Sequence, residues 1–311
     1  MTTTTTRMEP PRLAQMTSEA YAKVNLTLEV FGVRGDGYHA LRSVVAPISL
    51  SDTIEIEPAE TLSSDSPYPD DLCLKAAVAL RSTAAECGLR PAAGGADIHV
   101  AKRIPAGGGL GGGSADAAAV LRSLNEMWRL GLSPEALARI GAQVGSDVPA
   151  LVLAQHYCSP VMMEGRGEDV RLLDVAAENA SRRRATGAFI DLVLVNPGVH
   201  TSTREVFSLA GARDPEGPSA AEECARALLS GDLKRIASSF VNDLTIPACR
   251  LHPEISDAIS ALRAAGAAGV AMSGSGSTVL GVVGSEAEGE RVAGIVASGG
   301  MWARHVRMAA V

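Results

Sequence analysis

Between Lys102 and Ala119 the chain reads KRIPAGGGLGGGSADAAA, and six of the seven residues from Gly107 to Gly113 are glycine. A backbone of this kind approaches a ligand where side chains would hold it off. The residues that follow, Ser114-Ala-Asp-Ala-Ala-Ala-Val-Leu, favour helix. A glycine loop that feeds a helix start suits an anion, because unpaired N–H groups and the positive end of the helix dipole point the same way. The stretch therefore reads as a phosphate-binding loop, and the fold must place it between a strand and a helix.

Three other readings compete. A Walker A loop needs Gly-Lys before its Ser or Thr, whereas Gly113 runs directly into Ser114. Gly107, Gly109 and Gly112 fit the G-x-G-x-x-G of a dinucleotide fold, but that loop follows a parallel strand buried on both faces. Here the preceding segment puts Ile98, Val100 and Ile104 on one face and His99 and Arg103 on the other, as in a half-exposed antiparallel strand. A flexible glycine linker would be polar and would not be bounded by a strand and an apolar helix.

The pattern Pro105-x-x-x-Gly109-Leu110-Gly111-x-x-Ser114-Ala115 resembles the ATP loop of the GHMP kinases, the galactose, homoserine, mevalonate and phosphomevalonate kinase superfamily. Glycine in place of serine at Gly112 and Gly113 resembles one branch of it, whose acceptor is 4-diphosphocytidyl-2-C-methyl-D-erythritol (CDP-methylerythritol) of non-mevalonate isoprenoid synthesis. The similarity runs from about Ala20 to the C-terminus. It implies ATP as phosphoryl donor, with Mg²⁺ arriving on the nucleotide and Ser114 able to hold either the metal or a phosphate oxygen. Pro105, Ala106, Gly107, Gly108, Gly109, Leu110, Gly111, Gly112, Gly113, Ser114 and Ala115 would surround that nucleotide.

The implied fold is α+β in two domains. The first, over 20–165, has a mixed and antiparallel sheet with helices and carries the glycine loop. The second, over 185–311, is also α+β, and residues 1–19 are expected to be a disordered tail. At 311 residues, with 46% hydrophobic and 20% charged residues, the chain is long and apolar enough for two cores, and no run is long enough to span a membrane. Five scattered cysteines without C-x-x-C spacing suggest reduced thiols in the cytoplasm and no zinc site. A net charge of −7 argues against a nucleic-acid binder and requires a local basic site for an anionic substrate. With only four lysines, each deserves scrutiny, whereas the arginine run SRRRATG reads as solvated surface.

Along the chain, YAKVNLTLEV from Tyr21 reads as a strand, with Val24, Leu26, Leu28 and Val30 on one face and Lys23, Asn25, Thr27 and Glu29 on the other. The second face could be plain solvated surface. The resemblance instead makes Lys23 and Asn25 the Lys-x-Asn beside the acceptor hydroxyl, where an ammonium would stabilise developing negative charge. After a turn at Gly35-Asp36-Gly37 come Tyr38 and His39, in a chain with only 3% aromatics. Packing on the sheet would explain them; the resemblance assigns Tyr38 to stacking on cytosine and His39 to its base edge.

Strands are expected over Leu41–Leu50 and Thr53–Glu57, and helices over Asp71–Gly88, Ser114–Arg129 and from Ser133-Pro134-Glu135. In Gly145-Ser-Asp-Val-Pro149, Asp147 could cap a short helix; the resemblance makes it the general base. Met162–Asp174 reads as a hairpin, Phe189–Val195 as a strand, and Thr201–Phe207 as a capped helix start whose Thr203 and Phe207 the resemblance places against substrate. Further helices are expected over Ser219–Leu229, Leu233–Phe240, Pro253–Ala265 and Glu286–Ala297. Ala271–Thr278 alone is a tight glycine turn; by resemblance it buttresses the ATP loop.

The substrate implied is a small molecule, with no nucleic-acid or membrane partner and with room left for a homodimer. The alternatives are another GHMP kinase acting on homoserine, mevalonate or a sugar, a catalytically silent sensor on the same fold, and a dinucleotide-dependent oxidoreductase.

Overall fold

A single strand of 21 residues, His39–Ala59, organises the molecule. The computed structural model describes residues 14–35, 37–66, 70–89, 94–173 and 189–309. In chain order they form β1 (Met16–Asn25), β2 (Thr27–Val33), β3 (His39–Ala59), β4 (Leu62–Ser64), α1 (Leu72–Glu86), β5 (Gly95–Ala101), α2 (Gly112–Met127), α3 (Pro134–Gly141), α4 (Val148–Tyr157), β6 (Val161–Gly165) and β7 (Asp169–Leu172). The second half comprises β8 (Phe189–Asn196), α5 (Thr203–Ser208), α6 (Ala220–Ser230), α7 (Leu233–Ser238), β9 (Val241–Asn242), α8 (Thr245–Leu251), α9 (Glu254–Ala264), β10 (Ala268–Met272), β11 (Val279–Val283), α10 (Glu286–Ser298) and β12 (Trp302–Ala309). The run SRRRATG and Asp36 of the β2–β3 turn lie outside the described residues, as does most of the connection expected between the domains.

Strand β3 pairs antiparallel with β1 from Val45 to Ile56, with β5 along its second half, with β2 and β6 along its first, and with β12 at Ile48↔Met308. The last pairing joins the two halves of the chain, since β12 continues antiparallel to β8, β8 to β11, and β11 to β10. Two parallel pairings, β2 with β9 and β4 with β5, make the sheet mixed. Along β8, Leu192 and Leu194 join the core shared with β3 and α2, while Val193 and Val195 join a second core with α9 and α10. Alternate side chains thus feed opposite faces, as strand geometry dictates.

Four expectations need correction. The strands expected over Leu41–Leu50 and Thr53–Glu57 are one, because the polar pair between them, Ser51 and Asp52, is satisfied inside the sheet. Ser51 Oγ donates to the Glu19 carboxylate, and Asp52 accepts from Lys102 Nζ and from the Ile104 amide at 2.8 Å. The strand from Tyr21 is instead two, β1 and β2, meeting at Leu26. The disordered tail over 1–19 is too long, since Met16–Glu19 pair with Thr53–Ile56. Finally, α2 begins at Gly112 rather than Ser114, which brings two loop glycines into its first turn.

The alternation along β1 and β2 is as expected, but its polar face is buried: Lys23, Asn25, Thr27 and Glu29 are each at most 4% exposed. Such groups survive burial only when paired. Thr27 Oγ1 accepts from the Val44 amide at 2.9 Å, and Glu29 accepts from the Ala220 and Ala221 amides at 2.9 and 3.1 Å, capping α6. The polar face is the seam where the second half of the chain closes on the first.

Candidate active site

The glycine loop forms one wall of a cleft of about 1540 Å³ at this seam. Its conformation is imposed from behind. Ser273 Oγ donates to the Gly109 carbonyl at 3.0 Å and accepts from the Asn25 amide at 3.1 Å, while the Thr278 amide donates to the Gly108 carbonyl at 3.1 Å. The turn Ser273–Thr278 between β10 and β11 therefore braces the loop, and Asn242 Nδ2 holds that turn through the Met272 and Gly274 carbonyls at 2.6 and 2.8 Å. At Gly109 the backbone has φ +77°, and a Cβ there would overlap the Ser273 carbonyl oxygen. No other residue fits.

Gly111, in the left-handed region, is the N-cap of α2, so the first amides of the 16-residue helix open where the loop meets the cleft. Pro105 through Ser114 line the cleft; Ala115, expected among them, does not. It is fully buried, and its N–H donates to the Gly111 carbonyl at 2.8 Å within the helix. A bare cradle ending in unpaired helix amides fits a nucleotide's phosphates.

Lys23 and Asp147, 124 positions apart in sequence, meet across this cleft with Nζ 3.2 Å from Oδ2. Lys23 lies on β1, 4% exposed, under the loop: its amide donates to the Leu110 carbonyl at 3.0 Å and its Nζ to Asn25 Oδ1 at 2.6 Å. Asn25 is fixed in turn, since its Nδ2 donates to Ser43 Oγ at 2.8 Å. Asp147 stands at the N-cap position of α4 with φ −86° and ψ −12°, and its side chain makes no capping hydrogen bond. The capping explanation therefore fails. The carboxylate faces the cleft, 29% exposed, where it can receive a proton.

Beside the loop is a charged group that sequence reasoning did not single out. Lys102 Nζ sits between two buried carboxylates, 2.5 Å from Asp52 Oδ2 and 2.6 Å from Asp116 Oδ2. One ammonium cannot compensate both. Burial works against the charge on Lys102, but Asp116 and Asp52 outweigh it and raise its pKa. Burial, reinforced by the Asp52 carboxylate sharing the same ammonium, pushes Asp116 from the ordinary 3.8 to about 7, and Asp116 Oδ1 has no hydrogen-bond partner among the described residues.

The folded state therefore holds the Asp116 proton more tightly than the unfolded state. The resulting stabilisation is complete below the unfolded value and is lost as pH rises from about 4 through about 7. Asp116→Asn is expected to flatten the melting temperature across that window and to stabilise the protein by about 1–2 kcal/mol at pH 8. Thermal melts between pH 4 and 8 check this.

The same cleft gathers the remaining expected residues. Tyr38 and His39 follow the β2–β3 turn, which closes through the Arg34 amide to the Tyr38 carbonyl at 2.7 Å, with Gly37 at φ +82°. Tyr38 is 59% exposed, so sheet packing does not account for its ring. His39 and Phe207 are brought together, ring centroids 5.5 Å apart and tilted by 42°. Thr203 opens α5 and shares a 2.9 Å hydrogen bond with Ser275 of the bracing turn, while the cap itself is Ser202, whose Oγ accepts from the Glu205 amide. All four line the same cleft as Lys23, Asn25 and Asp147.

Two segments of the chain match the GHMP kinases N terminal domain and GHMP kinases C terminal families, over residues 71–155 and 224–300. The 4-diphosphocytidyl-2-C-methyl-D-erythritol kinase of Symbiobacterium thermophilum is 39% identical over 285 residues, covering 89% of this chain and 94% of that one. A crystal structure of a 4-(cytidine 5'-diphospho)-2C-methyl-D-erythritol kinase superposes with a TM-score of 0.76 at 31% identity, covering 95% of this chain and all of the other. Homoserine kinase from Cytophaga hutchinsonii shares the fold alone, at a TM-score of 0.70 and 16% identity, with 98% of each chain covered. The chain belongs to the GHMP kinase family, within the group of the 4-diphosphocytidyl-2-C-methyl-D-erythritol kinases.

Proposed function

We propose that this protein transfers the γ-phosphoryl group of ATP to the 2-hydroxyl of 4-diphosphocytidyl-2-C-methyl-D-erythritol. The observation that carries the reading is the Lys23–Asp147 pair, held at 3.2 Å on the wall where a braced, bare glycine loop meets an exposed Tyr38 and the His39–Phe207 pair. Phosphoryl transfer calls for alignment and charge stabilisation more than covalent chemistry, and these elements supply both.

Asp147 orients the acceptor hydroxyl and takes its proton. Lys23, anchored by Asn25, stabilises the charge that develops on the attacking oxygen and the transferred group. The amides at the start of α2 and along Gly107–Gly113 hold phosphate oxygens. ATP, when bound, supplies the phosphoryl group, and Mg²⁺ carried on it neutralises phosphate charge. Ser114, on the cleft wall at the start of α2, would hold either the metal or a phosphate oxygen through its hydroxyl. Tyr38 stacks on the cytosine, His39 bonds the base edge, Phe207 closes the pocket opposite, and Thr203 contacts the acceptor. The loop and its acceptor sites would lie in domains spanning 20–165 and 185–311, in a cytoplasmic enzyme.

Mg²⁺-dependent ADP release in the presence of the cytidyl substrate, mevalonate, homoserine or galactose tests the reading. Turnover confined to the cytidyl substrate is expected; turnover with another acceptor would keep the loop and discard the cytosine pocket. Tyr38→Ala is expected to raise KM for the cytidyl acceptor ten- to a hundredfold, the equivalent of about 1–3 kcal/mol of base stacking, with KM for ATP little changed. An unchanged acceptor KM would remove Tyr38 from the pocket.

A further inference from the structure

Among the described residues, four lysine and arginine side chains line the cleft: Lys23, Lys102, Arg166 and Arg204. The two lysines are committed to carboxylates, Lys23 to Asp147 and Lys102 to Asp52 and Asp116. The two arginines make no ion pair among the described residues. This matters because the acceptor proposed above carries a diphosphate into a protein of net charge −7, and an anion taken from water into a cleft needs a local cation.

Arg166 is placed to supply it. It lies in the turn between β6 and β7, and that turn is seated firmly: a Cβ on Gly167 would lie 2.5 Å from the Ser146 carbonyl oxygen, so the turn packs directly on the segment that carries Asp147. The Arg166 amide donates to Glu168 Oε2 at 2.6 Å, and Glu168 Oε1 lies 3.2 Å from Arg34 Nη1 in the turn that presents Tyr38. These contacts anchor the backbone of Arg166 between the Asp147 segment and the Tyr38 turn. Its guanidinium extends over Tyr38, with Cζ 5.6 Å from the ring centroid. A guanidinium over an aromatic face keeps its edge of N–H donors, which match two oxygens of a phosphate.

We propose that Arg166 binds the diphosphate of the acceptor, fixing it beside the base that stacks on Tyr38, and so selects an acceptor that is a nucleoside diphosphate ester. This assignment rests on the acceptor reading given above. Arg166 is then what excludes small uncharged alcohols that would otherwise reach Asp147, because they leave its donors unmatched.

Arg166→Gln and Arg166→Lys in the full chain test it, with KM measured for acceptor and for ATP, and with CDP and cytidine as inhibitors. Arg166→Gln is expected to raise the acceptor KM at least tenfold and to weaken inhibition by CDP by a similar factor. Inhibition by cytidine, which has no phosphate, and KM for ATP should stay within twofold, and the salt dependence of the acceptor KM should flatten. Arg166→Lys should recover part of the loss.

A rise in KM for ATP instead would put Arg166 on the donor's phosphates and overturn the assignment. Equal weakening of CDP and cytidine would mean that it acts through the Tyr38 ring, and unchanged constants would remove it altogether. Wild-type protein inhibited by neither compound would overturn the acceptor reading itself, an outcome recognisable before any variant is made.

Discussion

Asp147→Asn is expected to lower kcat by about 10²–10⁴ while leaving ATP binding intact, the range that a positioned general base supplies. The substitution preserves shape and removes only the ability to accept a proton and to pair with Lys23. Because the Asp147 side chain caps nothing, α4 does not lose an N-terminal hydrogen bond, and because Lys23 Nζ still has Asn25 Oδ1 at 2.6 Å, the ammonium keeps one partner. The fold should therefore survive, and the loss should appear in turnover. Steady-state ADP release together with calorimetric ATP titration separates the two effects. A variant that retains turnover would take the base role from Asp147 and leave its meeting with Lys23 as structure only.

Gly109→Ala is expected to act through the loop instead. A methyl group there overlaps the Ser273 carbonyl oxygen and has to adopt φ +77°, costing about 2–4 kcal/mol between overpacking and the left-handed backbone. Relief requires the loop to part from the Ser273–Thr278 turn, which breaks the hydrogen bond from Ser273 Oγ to the Gly109 carbonyl and disorders the phosphate cradle. A fall in melting temperature with at least a tenfold loss of ATP affinity should follow. Gly113→Ala is the comparison: its Cβ would meet only Leu72 Cδ1, at 3.4 Å, with no unusual backbone, so stability should change little. Equal effects at the two positions would mean that the loop is not shaped by the turn behind it.

What could be read from the sequence was local. Alternation along Ile98–Val100, the strand over Phe189–Val195, the Ser133-Pro134 start of α3 and the helix opening at Asp71 follow from short-range rules, and each is found. The same rules failed where partners far along the chain decide the outcome. Asp52 looks like a strand break until Lys102 and Ile104, fifty residues later, satisfy it. Lys23 and Glu29 look like solvated strand surface until Asp147 and the start of α6 close over them.

The candidate site shows the same division. Its loop was legible as glycine run plus helix, because that chemistry is contiguous. From sequence Asp147 reads as much as a cap as a base; the missing capping bond removes the first reading, and the 3.2 Å approach of Lys23 is what supports the second. Asp116 and Arg166 carried no sequence signal. One follows the loop among alanines and the other sits in a hairpin turn, and their significance comes from a shared ammonium and a neighbouring ring that only the fold brings near.

The most direct measurement is phosphorus NMR of the product formed from ATP and the cytidyl acceptor. Phosphoryl transfer from ATP to the 2-hydroxyl should yield ADP and one new phosphomonoester resonance on the methylerythritol, with the two diphosphate resonances of the acceptor retained. Inorganic phosphate in place of that monoester, or a new phosphoanhydride extending the diphosphate, would contradict it.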